Sequence, residues 1–267
     1  MKTRHAAIAA LLMTRTALLA AQAPGAATTP AFEVASIKPS DSLNRGGGSG
    51  WEPGGRFRGT NVPGAMLVQI AYGRIRRTLL GYQVVGAPGW LASARYDIVG
   101  KIRTDLVPPT PAELYSKGPL FLQSLLENRF KLRVHHESRQ LQRYRLVRSR
   151  NDGALGPRLR RSAVDCFATP DDARCKLEYL TGHLIFNGFT IARFADDLAG
   201  NLDRVVVDDT GLTGPFDIDV EWSPDQSASD KPSIFTALQE QLGLKLESER
   251  GPVDVVVIDH VERPAED

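Results

Sequence analysis

The phrase Asp209-Thr210-Gly211 in "VVVDDTGL" has the residue types of an aspartic protease active site. Such enzymes need two aspartates that share one proton across a two-fold axis. The corresponding position in the first half of the chain is Gly86 in "VVGAPGWL", so no internal partner aspartate is present. We therefore predict a tight turn capped by Asp and Gly, without a catalytic role for Asp209.

Histidines and clustered carboxylates are the other candidates for chemistry. His135 and His136 are adjacent on a predicted strand and point to opposite faces, so they cannot bind one metal ion together. The acidic phrase "DDTGLTGPFDIDVE" lacks the spacing of a calcium loop. The sequence also lacks a G-x-S-x-G elbow, a phosphate-binding P-loop and a helical HExxH motif. We therefore predict no catalytic, cofactor-binding or metal-binding residue.

The only two cysteines, Cys166 and Cys175, lie close together in "DCFATPDDARC". A zinc site would need two further ligands, and no Cys or His stands nearby at the spacing of a zinc finger. In an exported protein such a pair most simply forms a disulfide. We predict that this disulfide cross-links a linker between two folded units.

The N-terminal segment has the layout of an export signal. Basic Lys2 and Arg4 precede an Ala- and Leu-rich stretch that ends in small residues, with cleavage expected near Ala23 or Ala27. No other stretch has enough apolar residues to cross a bilayer. We predict a signal peptide at residues 1–27 and a mature protein that is periplasmic or secreted, with no transmembrane span.

Charge is distributed unevenly along the chain. Residues 1–161 carry 25 Lys and Arg against 9 Asp and Glu, whereas residues 162–267 carry 8 against 22, so the halves bear net charges of +16 and −14. Either the two halves attract and pack together, or the basic run Arg129–Arg161 meets an anionic partner. We favour the first interpretation. Without a reading helix, a zinc module or exposed stacking aromatics, nucleic acid is not an expected partner.

Two similar phrases, "RYDIVGKI" at 95–102 and "PFDIDVEW" at 215–222, indicate an internal repeat with an offset of 120 between Asp97 and Asp217. Both read as strands with apolar side chains on one face, so the two aspartates are predicted to point to the wetter face. Upstream of each phrase, a strand, an Asn-containing turn and an amphipathic helix are expected, with the helix ending at Gly73 or Gly200. A third matched segment aligns Lys131-Leu132 with Lys245-Leu246.

This repeat predicts an α+β protein of two tandem related units, each strand-helix-hairpin-helix-hairpin, with mainly antiparallel sheets. The expected organisation is a first unit at residues 32–150, a disulfide-containing linker at 151–178 and a second unit at 179–264.

Five phrases resemble an uncharacterised family of exported, soil-associated proteins expanded in acidobacterial genomes. They are "FEVASIKPS", "GAPGWLASARYDI", "LLENRFKLRVHHE", "VVVDDTGLTGPFDIDVEW" and "LGLKLESERGPVDVVVIDHVERP", and they cover about residues 32–264. The resemblance implies a domain of unknown function without an agreed active site. Relatives of this domain attached to membrane metallopeptidases of the antirepressor type imply a sensory or regulatory setting. Each unit also resembles the short α/β domains at the N-termini of secretins and outer-membrane transporters, which bind partner segments.

Three hypotheses of function follow. The leading hypothesis is a non-catalytic binding or interaction module of the periplasm or cell exterior, with an extracytoplasmic ligand or protein partner and no cofactor. The second is an extracytoplasmic hydrolase with a carboxylate site, formed by Asp97 and Asp217, between the units. The third is a structural protein that binds an anionic envelope polymer. Trp51 and Trp90, each beside a turn glycine, are further binding candidates because they could line a sugar or peptide groove.

Overall fold

The computed structural model describes residues 30–40, 46–73, 77–108, 110–150, 152–224 and 231–265. The predicted signal peptide therefore lies outside the described residues. The strands are β1 (Phe32–Pro39), β2 (Gly48–Glu52), β3 (Arg56–Pro63), β4 (Val84–Val85), β5 (Arg95–Ile102), β6 (Arg133–Arg148), β7 (Leu159–Arg161), β8 (Lys176–Leu180), β9 (His183–Thr190), β10 (Val206–Asp208), β11 (Pro215–Glu221) and β12 (Leu244–His260). The α-helices are α1 (Gly64–Ala71), α2 (Gly89–Ser93), α3 (Pro111–Arg129), α4 (Ile191–Leu202) and α5 (Ile234–Ala237), and α5 continues as a π-helical turn through Leu242.

The first half builds an antiparallel sheet in the order β1-β5-β3-β2. In β5 the side chains alternate as the sequence predicts: Tyr96, Ile98 and Ile102 are buried, whereas Asp97 lies on the exposed face. The buried face packs against α1 and α3 in one apolar core. This alternation is the reason that the segment forms a half-buried strand.

The second half builds a sheet of the same order, β7-β11-β9-β8. Phe216, Ile218 and Val220 of β11 are buried against α4, and Asp217 lies on the opposite face. The edge strand β7 comes from residues that the sequence assigned to the linker. Similar element order in the two sheets is what a duplication would produce, and the tandem-unit organisation stays a prediction.

A central sheet joins the two halves, and here the predicted last hairpin of each half is wrong. β6 and β12 are single long strands that pair with each other, antiparallel from Leu244 opposite Arg148 to Ile258 opposite Val134. The apolar pattern of each segment was compatible with two short strands, but it cannot specify the strand's partner. The partner of each long strand is therefore in the other half of the chain.

The short strands β4 and β10 also pair with strands of the other half. β4 pairs in parallel with β12 of the second half, through Val84 opposite Val256. β10 pairs in parallel with β6 of the first half, through Val206 opposite Tyr144. The predicted hairpins that join β4 to β5 and β10 to β11 are therefore also absent, since the members of each pair belong to different sheets. Leu146 of β6 is buried in the second core and Ile258 of β12 in the first.

Helix ends follow local chemistry, with one difference from expectation. α1 ends at Ala71, close to the predicted stop at Gly73. α4 begins after Thr190, whose hydroxyl accepts a hydrogen bond from the Arg193 amide, but it continues past Gly200 to Leu202. Asp203 takes the left-handed conformation, with φ at 52°, that terminates this helix. Aspartate tolerates that conformation better than most residues, so a glycine was not required.

The overall class is α+β with mainly antiparallel sheets, as predicted. The predicted disulfide between Cys166 and Cys175 is formed. Cys166 is buried, and its amide donates to the Gly188 carbonyl of β9, so the bridge holds its loop against the second sheet. Among the helices of the described ranges, none has both the length and the apolar character that crossing a membrane requires.

We predict that replacing both cysteines with serine lowers the free energy of unfolding by about 2.5 to 3 kcal/mol, because the unfolded chain gains the freedom of the opened loop. Urea denaturation followed by circular dichroism measures this change. Wild-type protein treated with a reductant is the control and should lose a similar amount. Equal stability of the oxidised wild type and the double variant would contradict the prediction.

Candidate functional site

The two repeat aspartates, Asp97 and Asp217, hold backbone amides on neighbouring strands. A carboxylate oxygen of Asp97 accepts from the Asn61 amide at 2.7 Å, and one of Asp217 accepts from the Gly188 amide at 3.1 Å. Asn61 and Gly188 have positive φ angles of 53° and 79° where the strand register shifts. Each aspartate therefore stabilises a bulge in its own sheet.

These carboxylates do not form a common site. Asp97 lies on β5 in the first sheet and Asp217 on β11 in the second, and the cavity that Asp217 lines does not include Asp97. The structure therefore does not bring together the carboxylate pair that the hydrolase hypothesis requires. Their contacts with backbone amides account for aspartate at both positions.

The Asp-Thr-Gly phrase forms a turn. Asp208 accepts from the Thr210 amide at 3.0 Å and from the Thr210 hydroxyl at 2.7 Å, and Gly211 has a φ angle of 69°. Asp209 forms an ion pair with Arg145 of β6. This geometry agrees with the predicted turn, because an Asx-turn aspartate and a left-handed glycine shape the backbone.

Three arginines of the basic run Arg129–Arg161 pair with acidic residues of the other half. Arg143 contacts Glu249 at 2.7 Å, and Arg145 lies near Glu247 as well as Asp209. Arg158 lies 3.3 Å from Glu221 and 3.5 Å from Asp219. The opposite charges of the halves therefore face each other along the central and second sheets. This arrangement favours attraction between the halves over an open polymer-binding stripe.

The adjacent histidines of β6 have different surroundings. The ring nitrogens of His135 lie 2.9 Å from oxygens of Glu137 and Asp259, and these hydrogen bonds raise the pKa of His135 above its ordinary value. His136 instead contacts the Tyr72 ring, with ring centroids 6.2 Å apart. The two imidazoles share no partner, as their alternation on a strand predicts.

One cluster on the outer face of the second sheet has the composition of a metal site. His183, Asp219 and Glu221 place one ligand atom each within 4.8 Å of one another. The carboxylates, however, also contact cationic side chains: Arg158 approaches both of them, and Lys231 lies 3.3 Å from Glu221. These cations compensate the acidic charge that would attract a metal ion, so we interpret the cluster as an ion-pair network.

A larger concave surface lies in the first half, beside the edge strand β2. We call it the edge groove; it has a volume of about 680 Å³. It is lined by β2, including Ser49 and Trp51, and by residues of β3. Met66 of α1 and Tyr115 of α3 form its walls, and both remain partly exposed, at 43% and 41%. Such a mixture of apolar walls and a few polar groups is typical of binding grooves.

Trp51 is the sequence-predicted tryptophan that lines this groove. Its ring packs on Phe32 and Phe57, at centroid distances of 6.0 and 5.3 Å. A Cβ atom at Gly118 of α3 would lie 2.5 Å from this ring, so glycine at that position lets the helix approach the tryptophan. Trp90 lies elsewhere, half-buried on α2 beneath the Arg263 guanidinium, and does not line the groove.

Two arginines give the edge groove its charge. Arg95, at the start of β5, is exposed and donates to the Asn61 carbonyl at 3.2 Å. Arg77 is half-buried and pairs with Asp196 of α4. In the part of the chain that the structure describes, no Asp or Glu lines the groove. The groove is therefore both apolar and cationic.

A second concavity lies between the halves. This seam cleft, about 570 Å³, is lined by Tyr72 and Arg77 of the first half and by Asp196, Val207 and Asp254 of the second. Burial and the nearby Glu127 raise the pKa of Tyr72 to about 12. The Tyr72 phenol thus stays neutral and can donate a hydrogen bond, but it is a poor general base at neutral pH.

Sequence reasoning missed most of the residues that shape these concavities. Met66, Arg77, Arg95 and Tyr115 come from four segments without a common motif. Only Trp51 carried a signal, namely a large aromatic side chain in a glycine-rich stretch.

We predict that Asp97→Ala and Asp217→Ala each lower the free energy of unfolding by about 2 kcal/mol, because a backbone amide loses its carboxylate acceptor. Asp97→Asn and Asp217→Asn retain an acceptor oxygen and should lose less than half of that. Thermal and urea unfolding of the four variants measure the effect. Equal losses for the Asn and Ala variants would contradict this structural role.

Comparison with known proteins shows the family but no characterised relative. No curated protein and no solved structure matches the chain significantly. Residues 65–261, well over half of the sequence, match the family described as "Protein of unknown function (DUF3738)". That range runs from α1 to the residue after β12, so it includes the second core and the central sheet but not β1 to β3 of the first sheet. The resemblance to a family of unknown function is thereby confirmed, and the chain belongs to the DUF3738 family.

Proposed function

We propose that this chain is an exported, non-catalytic interaction module that binds an extended segment of a partner protein in the edge groove. The observation that carries the proposal is the position of the groove beside an edge strand. β2 is an edge strand of the first sheet, and no strand of the described residues pairs with its outer side. An extended segment can add to such an edge by backbone hydrogen bonds and place alternate side chains in the adjoining groove.

The composition of β2 supports this mode of binding. Gly48 and Gly50 carry no side chain, and a Cβ atom at either position would meet nothing within 4 Å. An added segment would therefore meet no side chain of β2 at these two positions. In the adjoining groove, Trp51, Met66 and Tyr115 offer apolar surface to the side chains of an added segment. Backbone pairing would supply affinity, and these side chains would supply selectivity.

The two other hypotheses have less support. The hydrolase hypothesis needs Asp97 and Asp217 in one concavity, and they stabilise bulges in different sheets. The polymer hypothesis needs available arginines between Arg129 and Arg161, and several of these pair with Asp209, Glu221 or Glu249.

The disulfide and the N-terminal sequence both support a location outside the cytoplasm. The Cys166–Cys175 disulfide is stable in oxidising compartments. The N-terminal sequence has the basic, apolar and small-residue order of an export signal. The resemblance to exported, soil-associated acidobacterial proteins agrees with both. We propose that the protein meets its partner in the periplasm or outside the cell.

We predict that the mature protein binds short peptides of the form Thr-Xaa-Thr-Xaa-Thr-Xaa-Thr, in which Xaa is Leu, Asp or Lys. Fluorescein-labelled peptides and fluorescence anisotropy would measure the affinities. An added strand directs every second N–H group towards β2. Methylation of one alternate set of peptide nitrogens should therefore abolish binding, and methylation of the other set should not.

Protein variants provide the matched control for this experiment. Ser49→Pro and Gly50→Pro each remove one N–H from β2, and successive N–H groups point to opposite sides of a strand. One variant should therefore lose peptide binding while its circular dichroism and β2–β3 pairing stay intact. Absence of binding by every peptide, or binding that N-methylation does not affect, would show that strand addition is wrong.

We further predict that the full-length chain, expressed in a Gram-negative host, accumulates outside the cytoplasm in a shortened form with both thiols oxidised. Cell fractionation, mass spectrometry and thiol labelling measure location, processing and redox state. Replacing Leu11 and Leu12 with Asp should retain the chain in the cytoplasm, because charge breaks the apolar segment that the export machinery recognises. A wild-type chain of full length with two reactive thiols in the cytoplasm would contradict export.

A further inference from the structure

The charge of the edge groove restricts the chemistry of its occupant. Arg77 and Arg95 line the groove, and no acidic side chain lines it within the described ranges. Arg95 donates its hydrogen bond to a neutral backbone carbonyl, and this bond does not compensate the charge of the guanidinium. A carboxylate accepts charge-assisted hydrogen bonds from a guanidinium with good geometry. A lysine at the same place would be repelled.

Arg77 differs from Arg95 because it belongs to two concavities. Its side chain lines both the edge groove and the seam cleft, and its guanidinium pairs with Asp196, which lines only the cleft. The exposed fraction of the Arg77 side chain is 15%, and that of Asp196 is 36%. A carboxylate that enters the groove would therefore compete with Asp196 for Arg77.

From this arrangement we infer that the edge groove selects extended segments that carry an acidic residue beside apolar ones, with Arg95 as the principal counter-charge and Asp196 as an intramolecular competitor for Arg77. The inference rests on the proposed function, since it names the chemical class of that site's partner. In an extended segment, residues at i and i+2 point to the same side. An acidic residue and an apolar residue at this spacing can thus reach Arg95 and the wall formed by Met66 and Tyr115.

The competition has a consequence that distinguishes it from a purely structural ion pair. Removing the charge of Asp196 frees Arg77 for the ligand, so Asp196→Asn should strengthen the binding of acidic segments. A structural ion pair alone would predict unchanged or weaker binding after its loss. Removing the charge of Arg95 should have the opposite effect. The two substitutions therefore change affinity in opposite directions, although both remove a single charge.

The test compares the Asp-containing and Lys-containing peptides of the form Thr-Xaa-Thr-Xaa-Thr-Xaa-Thr, with the remaining Xaa positions Leu in both. For wild-type protein we expect tighter binding of the Asp peptides, and the difference should shrink at high salt. Arg95→Gln should weaken the Asp peptides about threefold to fivefold, the range of an exposed ion pair. Asp196→Asn should strengthen them by about twofold to threefold. Arg103→Gln removes an exposed arginine outside the groove and should change neither affinity.

Different results would contradict acidic selectivity, competition for Arg77 and strand addition. Equal affinity for Asp and Lys peptides, with binding that still depends on the peptide N–H groups, would overturn acidic selectivity and leave strand addition intact. Weaker binding of Asp peptides by a folded Asp196→Asn variant would overturn the competition for Arg77. Absence of binding by every peptide would overturn both proposals. Circular dichroism and thermal unfolding of each variant identify any loss that comes from misfolding.

Discussion

The antiparallel pairing of β6 with β12 is the interaction on which the rest of the architecture depends. Each long strand starts beside one core and ends beside the other, so Leu146 and Ile258 are buried far from the helices that precede their strands. The short strands β4 and β10 add to the outer sides of this pair, each from the other half of the chain. Neither half can complete its hydrogen bonds or bury its apolar residues without the other.

The charge distribution strengthens the same connection. Arg143 and Arg145 of β6 face acidic residues of β12 and of the turn after β10. Individual surface pairs contribute little stability, about 1 kcal/mol or less. Several pairs along one seam nevertheless favour the native register over a shifted one, because a shift would bring like charges together. These pairs explain part of the opposite charge of the two halves without an external partner.

The sequence was informative where local pattern determines structure. Alternating burial in β5 and β11, the outward aspartates, the disulfide and the α+β class were all predictable, because each depends on residues close together in the chain. The hairpins were wrong because an apolar alternation defines a strand but not its partner. The edge groove was missed because its residues come from separate segments that only the fold brings together. Asp97 and Asp217 were noticed for their repetition, and their shared role is to hold a strand bulge.

The pairing of strands between the two halves also determines when the protein can fold during its synthesis. Val84 pairs with Val256, so β4 has no strand partner among the described residues until β12 has left the ribosome. Contacts between such distant segments form slowly, because a long loop must close before they contribute stability. A nascent chain would therefore remain incompletely folded throughout most of its translation.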